Sequence, residues 1–352
     1  MAPTRPLIEH PETWHLFADL DPEFLEALNN GTEASLESED IIPDLTAFRM
    51  KRNETFRQKA DVLLREAGGE VTEEEILIPL RDGSKIRALL YRPTRHAAEL
   101  RPLLAVIHGG GFRVGSAELE SRACIGATMA FGCVSVSLEH RLSPEFKFPI
   151  AYEDCWDALL WITKNAGSLG ADLLKGFVFG GTSSGAHIAN PLVHRARDKG
   201  LNPPITGVYL NVPPTLAAQA LTNAYRDLYR SREDLKDGYT LTSKSIALYD
   251  EELQPDFQSP LWSPLLWPTG HANLPPTFFQ VCGADLLRDD ALIYERELRL
   301  KNDVKTKIIV YQGLPHVFWY THPSLRASKQ FAQDTVSGLG WLLGISVAPQ
   351  FA

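Results

Sequence analysis

With 352 residues, 44% hydrophobic and 22% charged, the chain has the composition of a globular protein large enough for a deep core and a buried pocket. A formal net charge of -9 with no Lys/Arg-rich block argues against a nucleic-acid surface, and no apolar run approaches the length of a membrane span. The opening Met1-Ala2-Pro3-Thr4-Arg5-Pro6 lacks the apolar core of a signal peptide, and Cys124, Cys133, Cys155 and Cys282 lack metal-ligand spacing, so the expectation is a cytoplasmic protein with reduced, mostly buried thiols.

Residues 1 to about 70 mix Pro-rich and acidic pieces with helix-like segments at Pro22–Leu28 and Asn53–Glu66. They predict either an arm that packs over the rest or a loosely held leader. From Glu75 the pattern changes. Ile76–Leu80 and Ile86–Tyr91 read as strands, and Asp82-Gly83 between them signals a hairpin. Strand and helix signals then alternate: strands at Leu103–Ile107, Cys133–Leu138, Phe177–Phe179 and Ile205–Leu210, with helices at Leu119–Phe131 and Ala151–Lys164 and after Ser183. Between about 213 and 274 the alternation stops, with helices expected at Leu216–Leu228 and Thr242–Leu253 and a Pro/Trp-rich passage after them. It resumes with the strand Thr277–Val281, a helix from Asp289 to Lys301, the strand Lys307–Tyr311 and a helix from Leu325 to Leu343. Such alternation predicts an α/β fold with a doubly wound, mostly parallel sheet, whose chemistry lies in loops at the carboxyl ends of the strands.

Reactive residue types fall at those loops. The Phe177 strand runs into Gly181-Thr182-Ser183-Ser184-Gly185, a G-x-S-x-G pattern that places a serine on a sharp strand-to-helix turn. That pattern alone is weak, because a Gly-rich turn with solvated serines satisfies it equally. His108-Gly109-Gly110-Gly111, at the end of an earlier strand, is far rarer by composition, and its backbone N–H groups can turn inward toward a developing negative charge. A serine nucleophile needs a base. Of ten histidines, His316 stands at the carboxyl end of the last strand. His187 is read as packing on the elbow helix, His194 and His322 as surface residues, and His108 as holding its own glycine loop. Asp285 follows the preceding strand directly and suits the carboxylate that orients the imidazole; Asp289 and Asp290 are rivals at a helix start. Phe112, Trp262, Trp267 and Trp319 are read first as core or cap packing, with a pocket-lining role open.

His108–Gly111, His140–Glu145, the Ser183 elbow, Gly283–Asp290 and His316, in the chain order Ser183, Asp285, His316, resemble the hormone-sensitive-lipase branch of the α/β-hydrolases, the HGGG carboxylesterases. The likeness runs from about residue 75 to 343. It implies an α/β-hydrolase fold over 71–352, with a helical cap made of the arm 1–70 and the insertion 213–274. It implies an oxyanion hole from the Gly110, Gly111 and Ser184 amides beside the triad Ser183, Asp285 and His316. The expected activity is hydrolysis of a small to medium, mainly apolar ester. Alternatives are acyl transfer, lactonisation or cyclisation by the same triad, and a non-catalytic binding module on the same fold. No metal or organic cofactor is expected, and a homodimer is left open. Departures from the family pattern are Thr182 and Ser184 in the elbow, where it usually has Asp and Ala, His140 where it usually has Tyr, and Ser143 where it usually has Ala.

Overall fold

The structure is a computed structural model that describes residues 5–31, 42–95 and 99–345. Its framework is an eight-stranded sheet. Strands β1 (Val71–Pro79) and β2 (Lys85–Pro93) form the hairpin expected around Asp82-Gly83, paired from Val71↔Pro93 to Pro79↔Lys85. Asp82 makes the turn by accepting the N–H and hydroxyl of Ser84 at 3.0 and 2.6 Å, while Gly83 takes φ +87°. β1 starts before the predicted boundary because it is an edge strand. Its outward positions Thr72, Glu74 and Glu75 are exposed, so an acidic run conceals the strand while Val71 and Ile78 are buried.

Strands β3 (Leu103–Ile107), β4 (Val134–Leu138), β5 (Phe177–Thr182), β6 (Gly207–Asn211), β7 (Thr277–Cys282) and β8 (Thr306–Tyr311) complete the order β1-β2-β4-β3-β5-β6-β7-β8. β2 meets β4 antiparallel, and every pairing from β4 through β8 is parallel. Parallel strands covered on both faces must be apolar on both. Leu103, Ala105 and Ile107 pack into one core layer, and Leu104 and Val106 into the other.

Eleven α-helices lie on the described residues: α1 (Arg5–Glu9), α2 (Pro22–Asn29), α3 (Leu45–Glu66), α4 (Ser121–Phe131), α5 (Ile150–Leu169), α6 (Ser184–Asp198), α7 (Ser231–Asp234), α8 (Ser243–Leu253), α9 (Arg288–Arg296), α10 (Phe318–Thr321) and α11 (Arg326–Leu343). α5, α6 and α9 cover the Leu103 face, whereas α4 and α11 cover the Leu104 face. α2, α3 and α8 start at Asp21, Asp44 and Thr242, whose side-chain oxygens accept N–H groups of the first turn. All four cysteines are free and buried. Among the described residues no helix is long and apolar enough to cross a membrane.

Two stretches decide how the site is held. The N-terminal arm is not loose where it is described. Trp14, Phe17 and Phe24 are buried, and the Gly313 N–H donates to the Phe17 carbonyl at 2.8 Å. The insertion between β6 and β7 departs from the expected helix over Leu216–Leu228: that stretch holds one short 3₁₀ turn, Ala218–Ala220, among turns. Side chains from elsewhere take its backbone groups. The Asp290 carboxylate accepts the Thr215 and Leu216 N–H groups, Ser263 accepts that of Ala217, and the Tyr229 hydroxyl donates to the Leu216 carbonyl. These contacts tie the start of the stretch to α9 and to Ser263, and the rest of it runs as turns.

Candidate active site

β3 and β5 lie side by side in register, Ile107 opposite Gly181, which sets the glycine loop after β3 against the elbow after β5. The chain leaves β5 at Ser183 with φ 53° and ψ -118°, a region that a residue with a side chain rarely adopts, and enters α6 at once. The turn is possible because Gly181 and Gly185 carry no Cβ. One on Gly185 would lie 2.0 Å from the Ile107 carbonyl oxygen, and one on Gly181 2.5 Å from it. The elbow is fixed by its own backbone. Ser183 N–H donates to Asn211 O, and His187 N–H to Ser183 O, each at 2.8 Å.

His316 and Asp285 arrive on the loops that follow β8 and β7. Ser183 Oγ lies 2.9 Å from His316 Nε2, and His316 Nδ1 lies 2.6 Å from Asp285 Oδ2. Both ring partners are shielded, with His316 6% and Asp285 2% exposed. The second Asp285 oxygen accepts the Leu287 N–H at 2.9 Å, and the Thr240 hydroxyl holds the His316 carbonyl at 2.6 Å. The three residues singled out from the sequence therefore meet in one hydrogen-bonded line. The rival carboxylates are engaged elsewhere: Asp289 accepts the Arg230 and Ser231 N–H groups and Asp290 those of Thr215 and Leu216. Among the described residues Ser184 Oγ has no hydrogen-bond partner, so the two adjacent serines differ as the motif spacing implies.

Gly109, Gly110, Gly111 and Ser184 line the cavity beside Ser183. Gly110 and Gly111 take φ +125° and +62°, and the Arg113 and Val114 N–H groups close on the Gly110 carbonyl at 3.1 and 3.0 Å. A Cβ on Gly110 would strike the Val114 carbonyl oxygen at 2.1 Å. Ser184 opens α6, so its N–H has no acceptor within the helix. His108 holds this loop as expected, with Nδ1 2.7 Å from the Gly109 carbonyl. Its ring stacks on His140 at 4.6 Å, and burial lowers the two imidazoles to about 4 and about 3. Both are therefore neutral near pH 7. His140 thus replaces one flat ring of the family pattern with another.

The cavity has a volume of about 370 Å³. Phe112 and Trp262 line it, their rings 5.6 Å apart, and His187 packs against Trp262 at 4.5 Å. Trp267 and Trp319 serve packing instead: Trp267 donates to Asp198, and Trp319 stacks on Phe331 at 3.8 Å. Two histidines read as surface residues are buried. His194 bridges the Asn190 carbonyl and His271, and His322 packs edge-on against Phe24 beneath the N-terminal arm. Both are covered by segments distant in sequence, which local pattern does not reveal.

Motif reading also missed Glu120. It is buried, and among the described residues its Oε1 has no hydrogen-bond partner. Asn211 Nδ2 donates to the Thr182 hydroxyl oxygen at 3.2 Å. Burial raises Glu120 to about 7. The carboxyl that the family pattern puts at position 182 is thus absent there, and Thr182 is electrostatically coupled to that of Glu120, from the segment before α4.

A nucleophile elbow, an inward glycine loop and a Ser–His–Asp line at the carboxyl edge of a parallel sheet define an α/β-hydrolase. The family profile described as alpha/beta hydrolase fold matches residues 104–320. An AB hydrolase superfamily protein of Schizosaccharomyces pombe is 36% identical, covering 93% of this chain and 95% of that one. A versiconal hemiacetal acetate esterase of Dothistroma septosporum is 32% identical over 78% of this chain and 81% of its own. Among solved structures, a vibralactone cyclase superposes with a TM-score of 0.83 and 31% identity, covering 94% of this chain and 96% of that one. The chain belongs to the hormone-sensitive-lipase carboxylesterase family of α/β-hydrolases, and it is an esterase-like hydrolase.

Proposed function

We propose that the protein hydrolyses a small to medium carboxylic ester through an acyl-enzyme on Ser183. The observation that carries this reading is the Ser183–His316–Asp285 line, with contacts of 2.9 and 2.6 Å. Ser183 Oγ–H donates to His316 Nε2 and passes it a proton as the oxygen attacks the ester carbonyl carbon. Asp285 accepts from His316 Nδ1–H, fixes the tautomer and stabilises the imidazolium. The carbonyl oxygen becomes an oxyanion, held by the Gly110, Gly111 and Ser184 amides. The intermediate collapses, His316 gives its proton to the departing alkoxide, and the alcohol leaves. Water then attacks the acyl-enzyme, its proton going to His316 and on to Ser183 as the acid departs.

The arm 1–70 and the insertion 213–274 act together as a cap in this reading. Arg52 of α3 and Leu216, Ile246 and Phe257 of the insertion line the cavity. Ser183→Ala should lower kcat by about 10⁵–10⁶-fold, whereas Ser184→Ala keeps its backbone amide and should stay within about tenfold of the parent. Steady-state hydrolysis of short-chain aryl esters by the two variants is the test. A dead Ser184→Ala beside an active Ser183→Ala would reverse the assignment.

A second reading is favoured by one observation, the likeness to a vibralactone cyclase. The same acyl-enzyme, attacked by a hydroxyl of its own acyl chain in place of water, yields a lactone. Product analysis with an ω-hydroxy ester separates the two: hydrolysis gives the hydroxy acid, cyclisation the lactone.

A further inference from the structure

Asp250 stands where a carboxyl is costly. Ser243, Ile246 and Asp250 of α8 line the cavity, and buried Leu253 continues the same spacing, which marks one face of a helix. An acidic residue on that cavity-facing stripe loses hydration unless something pairs with it. Among the described residues no hydrogen bond or ion pair reaches its carboxyl. Other buried or half-buried acids of this region are paired: Glu252 with Arg113 at 2.7 Å, and Asp290 with Arg232 and two backbone N–H groups.

Arg232 lines the same cavity. Its Nε and Nη2 each donate to Asp290 at 3.2 Å, which fixes the guanidinium and leaves Nη1 without a protein acceptor among the described residues. Arg232 and Asp250 sense one another electrostatically without bonding directly. The cavity therefore carries an anchored donor and an unused acceptor on its lining. Other ionisable groups that line the cavity are Arg52, His187, Tyr249, His316 and Tyr320, and Tyr152 of α5 lies within electrostatic reach of Asp250. Burial keeps the Tyr152 phenol protonated and His187 neutral.

We propose that Asp250 and Arg232 form a subsite for a hydroxyl group on the substrate, so that the preferred esters are hydroxylated on the part seated beneath α8. This rests on the esterase reading above. A hydroxyl donates to Asp250 and accepts from Arg232 at once. An ammonium has no lone pair for Arg232, a carboxylate has no proton for Asp250, and an alkyl end leaves both groups stripped of water with nothing in exchange. A site built on such bonds discriminates against the analogue lacking the hydroxyl far more strongly than an apolar wall does.

The test compares kcat/KM within matched pairs. Phenyl hexanoate and phenyl 6-hydroxyhexanoate probe the acyl side; hexyl acetate and the monoacetate of 1,6-hexanediol probe the alcohol side. The parent enzyme should favour the hydroxylated member of at least one pair by about 10²-fold. In Asp250→Ala that ratio should fall toward one, and in Asp250→Asn it should lie between. The melting temperature of Asp250→Asn at pH 8 should equal or exceed the parent's, which a carboxylate holding the fold together would not allow. A parent without preference in either pair overturns the proposal, as does a preference that survives Asp250→Ala or an Asp250→Asn protein that melts earlier. If the parent cleaves no member of either pair, the esterase reading falls separately. Calorimetric binding of the same esters to Ser183→Ala then decides the subsite, and equal affinity within both pairs overturns it.

Discussion

Around Ser183 the outcome of single substitutions turns on backbone clearance. A methyl at Gly185 meets the Ile107 carbonyl oxygen at 2.0 Å, and neither atom belongs to a flexible side chain. Gly185→Ala should therefore push α6 off β3 and cost about 3 kcal/mol or more, read as a lowered denaturation midpoint. Glu120 supplies a pH test. Its folded-state value is raised to about 7 from an ordinary 4.5 by burial, so the folded state keeps a proton that the unfolded chain has already released. Its own contribution to stability should then fall as pH rises between about 4.5 and 7, against the opposite trend that the buried imidazoles of His108 and His140 set. Glu120→Gln should remove that contribution, so from pH 5 to pH 8 the variant's urea midpoint should rise more, or fall less, than the parent's. The same pH dependence in parent and variant would show that Glu120 ionises freely. Ser183, Asp285 and His316 were legible in the sequence because each directly follows a strand in a parallel sheet. Glu120 was not, because its meaning depends on packing against Thr182, 62 positions along a chain whose folding alone brings them together.

At the scale of elements, the N-terminal arm secures the loops that carry Asp285 and His316. The Phe17 carbonyl accepts the Gly313 N–H, and a Cβ on Gly283 would strike that same carbonyl oxygen at 2.2 Å. Phe17 is fully buried, so Phe17→Ala should cost about 3–5 kcal/mol. It should also lower kcat as the His316 loop loosens, and chemical denaturation alongside aryl-ester kinetics checks both effects. Stability lost with kcat intact would show that the arm braces the fold without setting His316. The sequence pattern left open whether this segment was arm or leader, since its apolar residues are few and separated by Pro and acid. The insertion departs from its pattern in the other direction. Leu216–Leu228 has helix-compatible residues, yet Asp290, Ser263 and Tyr229 take the backbone groups of Leu216 and Ala217 and hold its start against neighbouring segments. Local propensity yields to such partners where they are available. By contrast, α8 was foreseen because Thr242 caps it and its stripe is regular; the acid on that stripe was the unread signal.

For the whole molecule, the sheet does the positioning. Strands β3, β5, β7 and β8 deliver the glycine loop, the serine, the aspartate and the histidine to one edge, although His108 and His316 lie 208 positions apart. The alternation of apolar strands with helices made this architecture legible, since a parallel sheet buried on both faces reads as continuous apolar runs. Cavity shape and polarity were not legible, because segments from α3 and the insertion meet over the site only after folding. The central claim is that Ser183 carries the acyl group during turnover. Rapid acid quench of the enzyme with an aryl acetate, followed by peptide mass spectrometry, tests it most directly. A transient mass increase of one acetyl group on the peptide containing Ser183, gone in Asp285→Asn or slowed by about 10⁴-fold, is the predicted result. Acetyl on another residue, or full turnover with Ser183 never modified, would contradict it.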